Sequence, residues 1–343
     1  MKSIYKIFHP EIFQGSLKGK NYFEGWYFKH VTGSGDKAFA VIPGVSLSDD
    51  SHCFIQFIDG TSGKTGYFRY PLNKFHFDPR KLDLSVGNSR FRGDSIQINL
   101  ENEEMKITGD IQYSEIVKLP STISAPGIMG WYSYMPAMEC NHGVVSVDHK
   151  LTGSLSMDGE VSIYDNGRGY IEKDWGISFP ESWIWMHCNN FDRNNVSAMI
   201  SVAKIPWRKS FFIGFISFIS IDDEIKIFAS YNGSKILSLK RIGKTSELII
   251  RKRDMIFTTR ITGKGSGFLK APEDGSMNKI IKESIDSDVF VELKEKDKIL
   301  FSGNGIRAGF EETDKIFTYF QHPYLLPRVL RERISLKGGK ERQ

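Results

Sequence analysis

Short apolar segments separated by turn dipeptides recur along almost the whole chain and leave few windows with a helical period. The turns are marked by Asp59-Gly60, Asp158-Gly159, Asn166-Gly167, Asn232-Gly233 and Asn304-Gly305. Such dipeptides suit tight hairpin turns, and the segments between them have the length and alternation of strands. The pattern therefore predicts an all-β protein of antiparallel strands, arranged as a sandwich or a barrel.

The candidate strands run from residues 22–31 to residues 316–320, and one helix is predicted beyond the last of them. Apolar residues recur at Tyr324 to Leu326 and at Val329-Leu330, with basic residues between them. Pro327 falls inside this segment, where it would occupy the first turn of a helix or kink it. A short C-terminal helix is therefore expected.

The length of 343 residues favours two domains or one large β-fold, since a typical domain has about 150 residues. A short internal echo supports two related units, because the order of residues in Glu24-Gly25-Trp26-Tyr27-Phe28 returns in Glu181-Ser182-Trp183-Ile184-Trp185. Chance is the alternative explanation for so short a match. The echo predicts two related β-domains, an N-terminal one over residues 1–178 and a C-terminal one over residues 179–343.

Charged residues are scattered along the chain, and the formal net charge is +5. Without a basic face, this balance does not predict nucleic-acid binding. The densest basic runs are Lys204–Lys209, Arg251–Arg253 and the tail from Arg328 to Arg342. They are interpreted as solvated loops and a frayed terminus, with peripheral contact to an anionic membrane surface as the alternative.

The cysteines and the N-terminus indicate a cytoplasmic protein. Cys53, Cys140 and Cys188 form no paired spacing, which argues against a disulfide framework and a zinc site. The N-terminal residues lack the apolar region and the cleavage site of a secretion signal. The longest apolar run, Phe211–Ile219, is far shorter than the roughly 20 residues of a membrane span.

One stretch, Tyr170–Phe191, is denser in reactive and aromatic groups than any other. It contains three of the six tryptophans, together with two carboxylates that flank a lysine. In an extended strand, Tyr170, Glu172 and Asp174 share one face, opposite Lys173 and Trp175. The stretch is interpreted as two strands joined at a corner between Gly176 and Pro180.

The second of these strands has one face that is interpreted as a cavity wall and one that is interpreted as packing. The wall contains Trp183, Trp185, His187, Asn189 and Phe191. The packing face contains Ile184, Met186, Cys188 and Asn190. In the N-terminal unit, Tyr22, Glu24, Trp26 and Phe28 are expected to form a similar wall.

A carboxyl group surrounded by aromatic rings is suited to protonating an alkene. Burial raises the pKa of a carboxyl group, so a proton remains available near neutral pH. The faces of aromatic rings stabilise the cation that forms when this proton reaches an alkene. Asp174 and Glu172 are the candidate acids. The alternative is structural, since either carboxylate could pair with Lys173, Arg168 or backbone N–H groups and hold a tight corner.

The stretch from Lys118 to His149 interrupts the strand pattern with prolines, glycines and many Met, Trp and Tyr residues. A long loop this apolar is expected to cover a core or to roof a cavity. A more specific hypothesis is that the loop is a mobile lid over that cavity. Glu139, His142 and His187 are further candidates for proton transfer. The spacing of Glu139 and His142 does not predict a metal site, because the helix that such a site requires is missing.

Three blocks of sequence resemble the tocopherol cyclase family: Tyr22–Lys29 (YFEGWYFK), Met138–His149 (MECNHGVVSVDH) and Ile171–Phe191 (IEKDWGISFPESWIWMHCNNF). The third block is the most specific. It meets, position by position, the family's pattern of Glu-Lys-Asp/Asn-Trp-Gly, Phe-Pro, Trp-x-Trp and Cys/Ser-Asn. The chain is therefore identified as a member of this family.

The resemblance implies two lipocalin-like β-units with a hydrophobic pocket. It also implies ring closure without a cofactor, in which an alkene of a prenylated hydroquinone is protonated and a phenol oxygen captures the carbocation. The positions that fall on matching motif residues are Glu24, Trp26, Glu172, Asp174, Trp175, Trp183 and Trp185. The family usually has Gln where this chain has His187, so either the chemistry differs here or this position only hydrogen-bonds the substrate.

Three classes of function remain open at this point. The leading hypothesis is a tocopherol cyclase-like isomerase that acts on a lipophilic prenylated small molecule, with Asn189 and the tryptophans as substrate contacts. The second is a carrier that binds a lipid or quinone in the same pocket without chemistry. The third is a carbohydrate-binding module, which requires Trp183 and Trp185 to be exposed. The oligomeric state is not predicted.

Overall fold

The computed structural model of the protein describes residues 4–136, 138–207 and 210–321. Strands dominate these ranges and fall into two antiparallel sheets, so the predicted all-β class is confirmed. No helix in the described ranges has the length and the apolar content needed to cross a membrane.

The first sheet contains twelve strands. They are β1 (Tyr22–Val31), β2 (Ala38–Leu47), β3 (His52–Asp59), β4 (Thr65–Pro71), β5 (Phe75–Phe77), β6 (Asp83–Val86), β7 (Ser89–Arg92), β8 (Ser95–Glu101), β9 (Lys106–Val117), β10 (Cys140–Met157), β11 (Glu160–Ile163) and β12 (Gly167–Gly176). Their order is β4-β3-β2-β1-β12-β10-β9-β8-β7-β6-β5, and β11 pairs with β10.

The second sheet contains ten strands. They are β13 (Trp183–Cys188), β14 (Val196–Trp207), β15 (Ser210–Ile221), β16 (Glu224–Ala229), β17 (Lys235–Ile242), β18 (Thr245–Lys252), β19 (Met255–Thr262), β20 (Gly267–Glu273), β21 (Ser276–Glu295) and β22 (Lys298–Glu312). Their order is β16-β15-β14-β13-β22-β21-β19-β18-β17, and β20 pairs with β21.

The two sheets share one lipocalin-like topology. In each, a first strand (β1 or β13) starts a meander through the next three strands, and the last strand (β12 or β22) returns to pair with it. The internal echo falls on β1 and β13, which hold equivalent places in the two sheets. The faces differ, however, because Trp26 belongs to the core of the first sheet whereas Trp183 points into the space between the sheets.

Each sheet has its own apolar core, and a third cluster joins the two. The first core includes Trp26 and Phe28, and the second includes Ile184 and Met186. The third draws residues from both sheets: Tyr27, Tyr170, Trp183, Trp185 and Phe218 are among them. Burial of such large side chains is what holds the sheets together. The middle strands of both sheets therefore face one another across a shared interior.

Within the described ranges, two short α-helices flank the strands: α1 (Ile4–Phe8) and α2 (Asp314–Gln321). The sequence-based prediction of a strand at 316–320 was wrong, because this segment is helical. Asp314 lies in the first turn, where its charge suits the helix dipole, and Ile316 and Phe317 are buried against the second core. Two 3-10 turns cover Leu72–Lys74 and Gly130–Tyr134. The helix predicted around residues 324–330 lies outside the described residues.

Candidate active site

A cavity of about 180 Å³ lies between the two sheets. Its walls come from β1 and β12 on one side and from β13, β21 and β22 on the other. Most of the lining is apolar. The titratable side chains that line it include Tyr27, His142, Glu172, Asp174, Glu283 and Glu311. The cavity therefore combines an apolar interior with an unusual number of acids.

Strand alternation explains which side chains reach the cavity. On β12, Glu172 and Asp174 line it, whereas Lys173 points to the opposite face. On β13, Trp183 and Trp185 line it, whereas Ile184, Met186 and Cys188 belong to the second core. The alternation predicted from the sequence therefore holds for these residues. The predicted wall extended too far, however, because Phe191 packs against the second core and does not line the cavity.

The corner between β12 and β13 brings these two faces together. Gly176 ends β12 with φ 154°, and a Cβ atom on it would lie 2.2 Å from the carbonyl oxygen of Glu139. Only glycine fits at this approach. The chain then leaves the first sheet and enters the second at Trp183, with Phe179 and Pro180 lining the cavity on the way.

The loop between β9 and β10 roofs the cavity, as the sequence predicts. Met129, Tyr132 and Met138 from this loop line it. The loop is held to the second sheet by Tyr231, whose hydroxyl donates to the carbonyl oxygen of Ile128 at 2.8 Å. The loop therefore covers part of the cavity, while the Asp174 side chain remains 24% exposed. Whether the loop moves as a lid stays a prediction.

Glu172 is a buried acid whose pKa is raised. Tyr170 Oη donates to Glu172 Oε2 at 2.7 Å, and Trp185 Nε1 donates to the same oxygen at 3.1 Å. Burial raises the pKa of Glu172 to about 7, and the nearby Asp174 carboxylate adds to this, whereas His142 and the two hydrogen bonds oppose it. Glu172 can therefore hold a proton near neutral pH.

His142 lies between the two acids of β12. Its Nδ1 is 2.9 Å from Asp174 Oδ1, and its Nε2 is 3.4 Å from Glu172 Oε2. Burial alone would lower the pKa of His142, but Asp174 and Glu172 outweigh it and raise the pKa to about 9. An imidazolium paired with Asp174 is the expected state at neutral pH, and its second N–H points towards Glu172.

A second pair of acids lies on the wall formed by the second sheet. Glu283 on β21 and Glu311 on β22 are direct partners in the strand register. Tyr27 Oη donates to Glu283 Oε1 at 2.6 Å, and Trp183 Nε1 donates to Glu311 Oε2 at 2.8 Å. Burial raises the pKa of Glu283 to about 7. Burial also raises the pKa of Glu311 well above its usual value, with repulsion from Glu283 as the second cause.

Glu24 and Trp26, which the sequence predicts as substrate contacts, do not line the cavity. They lie on the opposite face of β1, and the cavity receives Phe23 and Tyr27 instead. Because side chains alternate along a strand, the face that contains Glu24 and Trp26 cannot also face the other sheet. Glu24 is fully buried in an ion pair with Lys173.

Four other candidates also lie away from the cavity. Trp175 faces a small space beside Pro10 and His142, and His187 is stacked on Tyr170 at a ring distance of 3.5 Å. Burial lowers the pKa of His187 well below its usual value, so its ring is neutral.

Asn189 donates to Asp148 Oδ1 and to the carbonyl oxygen of Gly169. Glu139 is the last residue of the roof loop and does not line the cavity, and burial raises its pKa.

One group of donor atoms could surround a cation. The candidate ligand atoms of His142, Glu172 and Asp174 all lie within 4.8 Å of one another. In the described structure, the Asp174 carboxylate already pairs with the His142 imidazolium, and this arrangement needs no metal ion. The expectation that the site works without a metal stays a prediction, and a chelator control below addresses it.

The ionisation of Glu172 predicts a pH-dependent signal from Trp185. As the pH rises, Glu172 loses its proton, and its hydrogen bond from Trp185 Nε1 becomes charge-assisted and stronger. We expect the indole N–H resonance of Trp185 to move downfield with an apparent midpoint near pH 7. His142 stays protonated through this range. A midpoint near the ordinary value of 4.5, or a transition that persists in Glu172→Gln, would contradict the assignment.

A comparison with models of protein families gives a match that covers more than half of the chain. A model described as tocopherol cyclase-like matches residues 113–312, which is more than half of the 343 residues. The match includes β10, β12 and β13, and hence the acids and tryptophans of the cavity. The Tyr22–Lys29 block lies outside it.

Curated plant proteins match a shorter segment. The chain is 36% identical over 62 residues to a probable chloroplastic tocopherol cyclase from Oryza sativa subsp. japonica and to a chloroplastic tocopherol cyclase from Zea mays. The aligned segment is 18% of this chain and spans 13% of the length of each plant protein. It is a local similarity.

Solved structures with the same fold have little sequence in common with this chain. A protein described as AttH from Nitrosomonas europaea superposes with a TM-score of 0.51 and 12% identity, covering 84% of this chain and 92% of that one. CghA crystallised with Sch210972 superposes with a TM-score of 0.52 and 9% identity, covering 85% of this chain and 88% of that one. These similarities support the two-unit lipocalin-like fold. The match of the family model over residues 113–312 shows that the chain belongs to the tocopherol cyclase-like family.

Proposed function

We propose that the protein closes a ring on a lipophilic substrate that carries a phenol and a prenyl alkene, by a proton-initiated addition without a cofactor. The observation that carries this proposal is Glu172, a carboxyl group in an apolar cavity, hydrogen-bonded by Tyr170 and Trp185. The imidazole of His142, 3.4 Å away, can return a proton to it. Membership in the tocopherol cyclase-like family supports the same class of reaction.

The proposed step balances without an oxidant or a reductant. Glu172 gives its proton to the less substituted carbon of the alkene, so a C–H bond forms and the π bond breaks. The tertiary carbon then carries the positive charge. The phenol oxygen forms a C–O bond to it and loses its proton, so the product is an isomer of the substrate.

Aromatic rings surround the place where the cation would form. Tyr27, Trp183 and Trp185 all line the cavity, and Tyr27 and Trp185 meet edge to face at 5.4 Å. Ring faces attract a desolvated cation by up to about 2 kcal/mol each. Trp183 and Trp185 are 6% exposed, which disfavours a carbohydrate-binding platform made of these two rings. The cavity is better suited to a lipophilic chain.

Incubation with 2-geranylhydroquinone in deuterated water tests the proposal. We expect a ring-closed isomer that carries one deuterium on carbon, detected by mass spectrometry and NMR, and an unchanged yield in the presence of EDTA. A carrier would bind the probe and return it without deuterium. Recovery of the bound but unchanged probe would therefore overturn the enzymatic proposal and favour the carrier.

A further inference from the structure

The ring closure needs a base as well as an acid, and the wall opposite Glu172 carries acids that the sequence does not reveal. We propose that Glu283 and Glu311 hold the phenol hydroxyl of the substrate and accept its proton as the C–O bond forms. This inference rests on the proposed function and assigns the second half of its proton transfer.

The first support is geometric. Glu283 and Glu311 face each other across β21 and β22, and both line the cavity. Each has one oxygen fixed by a donor from an aromatic side chain, Tyr27 for Glu283 and Trp183 for Glu311. Glu283 is 1% exposed, and its Oε2 has no hydrogen-bond donor within the described structure. A buried carboxylate oxygen without a donor leaves room for one from a ligand.

The second support is the charge of the pair. When one of the two carboxyl groups retains its proton, the pair carries a single negative charge. Burial raises the pKa of Glu283, and the fully buried ammonium group of Lys29 partly opposes this. A carboxylate whose pKa lies near the working pH can take the phenol proton as the phenol oxygen becomes positive during C–O bond formation.

The third support is separation from the acid. Tyr27 donates to Glu283, Trp185 donates to Glu172, and the rings of Tyr27 and Trp185 meet edge to face at 5.4 Å. None of the hydrogen bonds found within the described residues links Glu172 directly to Glu283 or Glu311. The two sites can therefore hold different protonation states during one turnover, as an acid and a base require.

The test compares ring closure with deuterium exchange in the Glu283→Gln/Glu311→Gln variant. With Glu172 intact, the carbocation still forms from 2-geranylhydroquinone in deuterated water, but it loses its proton again instead of being captured. We expect deuterium in the recovered open-chain probe, and a ratio of closed product to deuterated open chain that falls by at least about tenfold. Glu292→Gln, the same change on β21 in a half-buried ion pair with Lys294, is the control and should match the wild type.

Two results with the double variant would overturn this inference: ring closure at the wild-type ratio, or loss of exchange and closure together in a folded protein. A binding measurement separates it from failure of the proposed function. If the wild type does not turn over the probe, methylhydroquinone should still shift the indole N–H resonance of Trp183 in the wild type and in Glu172→Gln, but not in Glu311→Gln. Absence of that shift in the wild type would also reject the inference.

Discussion

Glu172→Gln is expected to slow ring closure on 2-geranylhydroquinone by roughly 10²- to 10⁴-fold, the range that a positioned general acid contributes. Gln keeps the shape of the side chain and can still accept hydrogen bonds from Tyr170 and Trp185, but it has no acidic proton. Deuterium exchange into the probe should fall by the same factor, because protonation of the alkene precedes every later step. The rates of both processes can be followed in one reaction by mass spectrometry.

The stability of this variant distinguishes loss of chemistry from loss of fold. The pKa of Glu172 is raised in the folded protein, so its contribution to stability is lost as the pH rises from its unfolded value of about 4.5 through about 7. At pH 8 the neutral Gln should therefore leave the free energy of unfolding unchanged or higher. Glu101→Gln, which removes an exposed carboxylate on β8, is the matched control. Full turnover by folded Glu172→Gln would transfer the acid role to Asp174, the other candidate on β12.

Glu24→Gln is expected to destabilise the protein by about 3–5 kcal/mol, because it leaves the ammonium group of Lys173 buried without its counter-ion. Both side chains are fully buried. Glu24 also accepts hydrogen bonds from the backbone N–H groups of Gln14 and Gly15, and Lys173 donates to the carbonyl oxygen of Pro10 at 2.9 Å. The pair therefore pins the N-terminal segment against β1 and β12. Urea denaturation measures the change.

A double variant separates the ion pair from the individual side chains. Glu24→Gln/Lys173→Met removes both charges and should recover most of the lost stability, since an apolar replacement of a buried pair is often close to neutral. Glu160→Gln removes the exposed pair with Lys37 and should cost no more than about 1 kcal/mol. If Glu24→Gln is as stable as the wild type but raises the KM for the probe, Glu24 contacts substrate after all and the packing explanation fails.

Local alternation accounts for what could be predicted of the site. The strand period of two residues depends only on neighbours in sequence, so the shared face of Glu172 and Asp174, and that of Trp183 and Trp185, follow from the printed residues. The corner after Gly176 was also predictable from local sequence, because Gly176 and Pro180 interrupt the strand pattern there. The period does not say which of two faces meets the other sheet, and on β1 the cavity received Tyr27 and not Trp26.

Long-range register accounts for what could not be predicted. Glu283 and Glu311 sit in ordinary alternating strands, and no local motif marks either of them. They become a pair only because β21 and β22 align them. The segment at 316–320 shows a related limit, since a short apolar run suits a strand or a helix, and packing of Ile316 and Phe317 on the second core decided for the helix.

The sequence by itself determined the all-β class, the family, and the shared faces of Glu172 with Asp174 and of Trp183 with Trp185, because turn chemistry, strand period and motif spacing are local properties. Only the tertiary structure decided that Glu24 and Lys173 form a buried anchor and that His187 lies behind Tyr170. It also decided that the wall opposite Glu172 carries two more acids. The physical reason is that a side chain's environment depends on which distant strands cover it, and that is settled only when the two sheets pack together.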